Sequence, residues 1–169
     1  CSVGGRRTRD LRPIAGLPLN RLTLHGTNVG DLGLLNGKPL THLTVHGGPL
    51  RDLTPLEELP LSHLGLIDLG IESITSLGGM QLRFLDLSGC RRLAKLDALR
   101  GMPLQTLRMN GCTALDSLVA LEGSLLQNLE IAGCVGITDL RPIAHQPLAA
   151  ITIDFSHRES LLGILDTLW

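Results

Sequence analysis

Apolar residues recur along this chain with a period of 21 to 22. Leu19, Leu40, Leu61, Leu82, Leu104, Leu126 and Leu148 open successive units at separations of 21, 21, 21, 22, 22 and 22 residues. Each is followed at fixed offsets by two more aliphatics: Leu22 and Leu24, Leu43 and Val45, Leu64 and Leu66, Leu85 and Leu87, Leu107 and Met109, Leu129 and Ile131, Ile151 and Ile153. That pair alternates in and out, as a half-buried strand does. Three further aliphatic columns complete each unit: Val29 to Ile137, Leu32 to Leu140 and Leu35 to Ile143. A unit this short cannot bury its own apolar face, so the pattern predicts a stack in which neighbours close one continuous core. It also predicts one short parallel strand per unit and a convex side of 3₁₀ turns or loops, since so few residues leave little room for a long helix.

The polar punctuation fits that frame. Pro18, Pro39, Pro60, Pro103 and Pro147 precede the opening leucines, where a fixed φ favours an extended approach to a strand. Asp10, Asp31, Asp52, Ser73, Ser117 and Asp139 stand just before the second-half aliphatic, where a short oxygen-bearing side chain can accept from the amides of a helical turn. Lys95 breaks this column. Residues 1–9 read as a poorly ordered lead-in, 10–155 as the solenoid, and 156–169 as a capping helix. In that last segment Ser156 and Glu159 have capping-box spacing ahead of Leu161, Leu162, Ile164, Leu165 and Leu168.

Composition narrows the function. Leucine supplies 39 of the 169 residues, aromatics 2%, and the formal net charge is -1. There is ample apolar surface to fold, no run long enough to span a membrane, and no basic excess with which to neutralise nucleic-acid phosphates.

The repeat resembles the leucine-rich repeat, Leu-x-x-Leu-x-Leu-x-x-(Asn/Cys/Thr)-x-Leu, over about 145 residues. The phrases Gly101-Met102-Pro103-Leu104 and Asp139-Leu140-Arg141-Pro142-Ile143 are similar to bacterial arrays often joined to Ser/Thr protein kinases. The resemblance implies an α/β solenoid: an arc with a parallel concave sheet, convex 3₁₀ turns or loops and a C-terminal capping helix, appended to a larger protein. It further implies that Cys90, Cys112 and Cys134, 22 residues apart, turn inward and satisfy backbone groups after each strand. A buried, reduced ladder of thiols favours the cytoplasm. The alternative is a chain lipid-anchored through Cys1.

Function in a solenoid usually lies on the open sheet. The outward third position of each unit gives Arg21, His42, His63, Phe84, Thr106, Asn128 and Ala150; the fifth includes Asp86, Arg108 and Glu130; the seventh begins His25, His46, Ile67. The partner-binding candidates are therefore His25, His42, His46, His63, Ile67, Phe84, Asp86, Arg108 and Glu130. Asp86, Arg108 and Glu130 alternate in sign and suggest a surface charge ladder. Phe84 is an apolar ring where water is expected, the mark of a binding hot spot. No nucleophile, phosphate loop or carboxylate pair suggests catalysis, and no cofactor or metal is expected. These features point to a non-catalytic module for a protein or peptide partner. The alternatives are an assembly module that self-associates through its ends and, less favoured, a histidine-based metal or pH-sensing site.

Overall fold

The computed structural model describes residues 1–5 and 8–154 of the chain. The alternating aliphatics form eight parallel strands: β1 (Ser2–Gly4), β2 (Arg21–His25), β3 (His42–His46), β4 (His63–Ile67), β5 (Phe84–Asp86), β6 (Thr106–Arg108), β7 (Asn128–Glu130) and β8 (Ala150–Thr152). They lie side by side in chain order in one sheet. Pairing follows the repeat, with Leu22 beside Leu43, Leu43 beside Leu64, and so on to Leu129 beside Ile151.

On the opposite side each unit makes one turn of helix. The first is a four-residue α-turn, α1 (Arg12–Ala15); the rest are 3₁₀ turns at Gly33–Leu35, Thr54–Leu56, Thr75–Leu77, Asp97–Leu99, Val119–Leu121 and Arg141–Ile143. The oxygen-bearing column anchors them as expected, although it acts one residue outside the cap proper. Asp10, Asp31, Asp52 and Asp139 accept from the N–H two residues on at 2.7 to 2.9 Å, and Ser73 and Ser117 do so at 3.2 and 3.3 Å.

Between sheet and turns lies one apolar core. All six aliphatic columns are buried within it over the complete units apart from the half-buried Leu19 at the start, with Leu24, Leu43, Leu64, Leu85, Leu107 and Leu129 at 1% exposure or less. Burying each such side chain is worth about 1.5 to 3 kcal/mol, so every layer is held mainly by contact with its neighbours. Leu59, Met80 and Met102 add a further buried column just after the turns. In the last units Ser124 and Gln146 replace it with polar contacts: Ser124 Oγ donates to Gln146 Oε1 at 2.8 Å, and Gln146 Nε2 donates to the Leu121 carbonyl at 2.6 Å.

Two expectations about the ends meet different outcomes. The lead-in expected over residues 1–9 contains β1, in which Ser2 pairs with Thr23 one period downstream. Val3 packs against the core in the column of Leu24, too little apolar signal for sequence periodicity to register. The capping helix expected over 156–169 lies outside the described residues.

The cysteine column is buried, and its three thiols donate to carbonyls of the preceding unit: Cys90 to Leu66 at 3.0 Å, Cys112 to Leu87 at 3.1 Å and Cys134 to Met109 at 2.9 Å. Burial pushes the Cys90 thiol up to about 11.

Candidate functional site

The in-register sheet carries the third residue of each unit, which is the first residue of its strand, onto the concave face one strand spacing from the next. His42 and His63 stack with ring centroids 4.2 Å apart and planes 11° from parallel. Phe84 continues the stack, 5.8 Å from His63 at 18°. The Arg108 guanidinium closes it from the fifth position, its Cζ 5.4 Å from the Phe84 centroid, within cation–π range. Phe84 is thus half-buried between a histidine and an arginine, part of a ladder of rings across β3, β4 and β5.

Hydroxyls on the preceding residues hold both imidazoles. His42 Nδ1 lies 2.9 Å from Thr41 Oγ1, and His63 Nδ1 lies 2.9 Å from Ser62 Oγ. Burial, then the neighbouring His63 and Arg21, hold His42 below its ordinary value of 6.5.

The seventh position forms a second row. His25 and His46 are exposed and meet edge to face, centroids 6.1 Å apart at 72°, and Ile67 follows them half-buried. A residue that the concave columns did not flag joins them: Asp68 Oδ2 lies 2.8 Å from His46 Nε2. Its signal was present in the sequence. The position after the seventh is Gly26, Gly47, Gly89, Gly111 and Gly133 in the other units, all at positive φ, and Asp68 adopts φ 53 in the same column. A residue with a Cβ costs about 1 to 2 kcal/mol there, so its side chain is held where few residue types sit readily.

In the fifth row the expected alternation of charge is half realised. Arg108 Nε sits 2.9 Å from Glu130 Oε1, and Asn110 Nδ2 donates to Glu130 Oε2 at 2.8 Å. Asp86 instead accepts from its own Ser88 N–H at 2.9 Å and is buried, so its carboxylate serves the turn. Beside the ladder, Phe84, Thr106, Arg108, Asn128, Glu130 and Thr152 line a shallow depression of about 300 Å³.

Among the described residues no three histidine, cysteine or acidic side chains converge on one point as a metal would require. No described helix is long and apolar enough to cross a membrane.

A parallel sheet of stacked units with buried leucine columns and convex 3₁₀ turns defines the class: the chain has the fold of a leucine-rich repeat solenoid. Solved structures agree on the fold. The chain is similar to an internalin (InlF) of Listeria monocytogenes, with 22% identity and a TM-score of 0.75 over 90% of this chain, and it spans 46% of that protein. It is also similar to the leucine-rich repeat domain of the type III effector XopL, at 18% identity and a TM-score of 0.66, covering 90% of this chain and 67% of that one. No family model and no curated protein matches the sequence.

Proposed function

We propose that this chain is a non-catalytic interaction module that receives a protein or peptide on its concave sheet, as part of a larger protein. The observation that carries the reading is the contrast between the two sides of the strands. Inward positions are uniform aliphatics, whereas outward ones place two histidines, a phenylalanine and an arginine in one continuous stack. A core needs no such stack, and aromatic and arginine side chains concentrated in one patch are what binding hot spots use. The fold supports the reading in a general way only, because one scaffold carries many functions. Three thiols donating to backbone carbonyls in the core suit a reducing compartment such as the cytoplasm.

The test is selection of binding peptides from a randomised display library, followed by affinity measurement with the whole chain. Phe84→Ala, His42→Ala and His63→Ala should each weaken selected peptides by tenfold or more, the range of a hot-spot residue. Arg100→Ala, on the convex turn, should leave them unchanged. Peptides that ignore all three concave substitutions would overturn the proposal.

A further inference from the structure

The charged groups of the concave face are unevenly satisfied. Each carboxylate has a partner: Asp68 has His46, Asp86 the Ser88 N–H, Glu130 the pair Arg108 and Asn110, and Asp154 the Gly133 N–H at 2.6 Å. Among the described residues no carboxylate pairs with Arg21, His25, His42 or His63. The unpaired cations and potential cations thus gather on β2, β3 and β4, at one end of the sheet.

Hydrogen bonding fixes how the two stacked histidines face outward. Thr41 Oγ1 lies 2.9 Å from Asn20 Oδ1 and spends its one proton there. It can then only accept from His42, so Nδ1 of His42 carries the hydrogen. Ser62 Oγ lies 2.9 Å from Nδ1 of His63 and so holds that ring by the same edge. Both rings are therefore held at Nδ1 and turn out Nε2, which has no hydrogen-bond partner among the described residues, and in neutral His42 that atom carries the lone pair. Because the rings stack nearly in parallel and are anchored on the same side, the two Nε2 atoms sit on matching edges about one strand spacing apart.

We propose that the edge formed by Arg21, His42 and His63 seats an acidic peptide segment, whose carboxylates bridge the Nε2 atoms of the two histidines when these are protonated. This rests on the reading of the concave sheet as the binding face, and it names the partner's chemistry and its control. With both rings neutral, the lone pair on Nε2 of His42 faces the ligand and repels carboxylate oxygens. Protonation turns both rings into charge-assisted donors. The groups that bear on the pair are Arg21 from β2, Phe84 and Asp86 from β5, and Arg108 from β6 beyond the phenyl ring. His63 and Arg21 oppose protonation of His42 in the free protein, and a bound carboxylate offsets both. Binding therefore takes up protons, and affinity rises as pH falls through the histidine range near 6.5.

The probe is a fluorescein-labelled decamer of glutamate, whose side chains ionise near 4.3 and so keep their charge throughout the titration. With the whole chain, anisotropy should give a Kd about tenfold lower at pH 5.5 than at 7.5, a factor of ten for each unit by which a histidine pKa is raised. His42→Gln with His63→Gln should abolish the pH dependence, while Arg21→Gln should weaken binding at every pH and leave a pH dependence in place. Each variant is first checked for the wild-type circular dichroism spectrum and melting midpoint. A decamer of glutamine should not bind. Equal, pH-independent binding of both decamers overturns the proposal, as does a deoxythymidine decamer that binds as well as the acidic peptide. If library-selected neutral peptides depend on Phe84 but oligoglutamate does not bind, the concave interaction face stands and the acidic-partner inference falls.

Discussion

Replacing Gly89 by alanine will cost about twice as much stability as replacing Gly111, although the two occupy equivalent positions. Both have the same left-handed backbone, with φ 77 and 73, so a Cβ at either adds about 1 kcal/mol of strain. Around Gly111 a Cβ would meet nothing within 4 Å. At Gly89 it would land on Asp68 Oδ1 and lie 3.2 Å from Asp68 Cα. The aspartate must then swing away from His46. That breaks a hydrogen-bonded contact whose side chains are 47% and 60% exposed and which is worth at most about 1 kcal/mol. Forcing the side chain off its rotamer adds a similar amount. The expected costs are about 2 kcal/mol for Gly89→Ala and about 1 kcal/mol for Gly111→Ala, read from urea midpoints at unchanged m-value. In an Asp68→Gly background the obstacle is gone, and Gly89→Ala should fall to the Gly111→Ala cost, an interaction of about 1 kcal/mol in a double-mutant cycle. Equal costs for the two glycines, or no recovery without Asp68, would refute the placement of Asp68 over the next turn and with it the His46 contact.

Two further expectations test the interior and the convex side. Of the four cysteines, only the exposed Cys1 should react with a thiol reagent in the folded protein, and all four after denaturation; labelling of Cys90, Cys112 or Cys134 under native conditions would contradict their burial. The carboxyls of Asp10, Asp52 and Asp139 lie below their ordinary value of 3.8, held there by hydrogen bonds from the backbone and side chain of Arg12, the hydroxyl and backbone of Thr54, and the side chain and backbone of Arg141. A depressed folded value means that their stabilisation is complete above about 3.8 and lost as pH falls through the lower folded values, so the urea midpoint should drop on that acid limb. Replacing all three with asparagine, which can still accept the turn N–H, should flatten it, and an unchanged acid limb would sink the assignment.

The scaffold was largely legible in the sequence because one residue size fills every layer. Once Leu22, Leu43, Leu64, Leu85 and Leu107 are set in register, strand direction, pairing and the inward face all follow. Outward positions are legible only as columns. Periodicity placed His42, His63 and Phe84 side by side, and the sheet stacks them as that spacing requires. It could not foresee that Arg108 leans across onto Phe84, or that Asp86 turns to its own backbone and leaves Arg108 to Glu130, since these are choices of rotamer within a column. Asp68 was overlooked for a different reason: it lies one place beyond the strand, where the other units have glycine, and its side chain reaches the face only because of its unusual backbone. β1 escaped because a single valine carries its apolar pattern.

The change of repeat length from 21 to 22 explains why the histidine face stops where it does. In the units with a cysteine, its N–H closes a turn onto a carbonyl three residues back, Cys90 to Leu87 at 3.1 Å, Cys112 to Met109 at 3.1 Å and Cys134 to Ile131 at 3.2 Å. The turn cuts β5, β6 and β7 to three residues, and the thiol then fixes the loop against the unit before it. In the 21-residue units the equivalent positions are Thr27, Gly48 and Leu69, whose side chains donate no hydrogen bond inward, and the ladder runs on: β2, β3 and β4 each keep five residues. Only there does the seventh residue remain within the strand, so only there can two outward rows, His42 with His63 and His25 with His46, be held by continuous pairing. The extra residue therefore divides the sheet into a long-stranded half that displays titratable groups in two parallel rows and a short-stranded half whose charges are already paired. A single acidic segment lying across the strands would meet both kinds of surface, and only the first offers it unsatisfied partners.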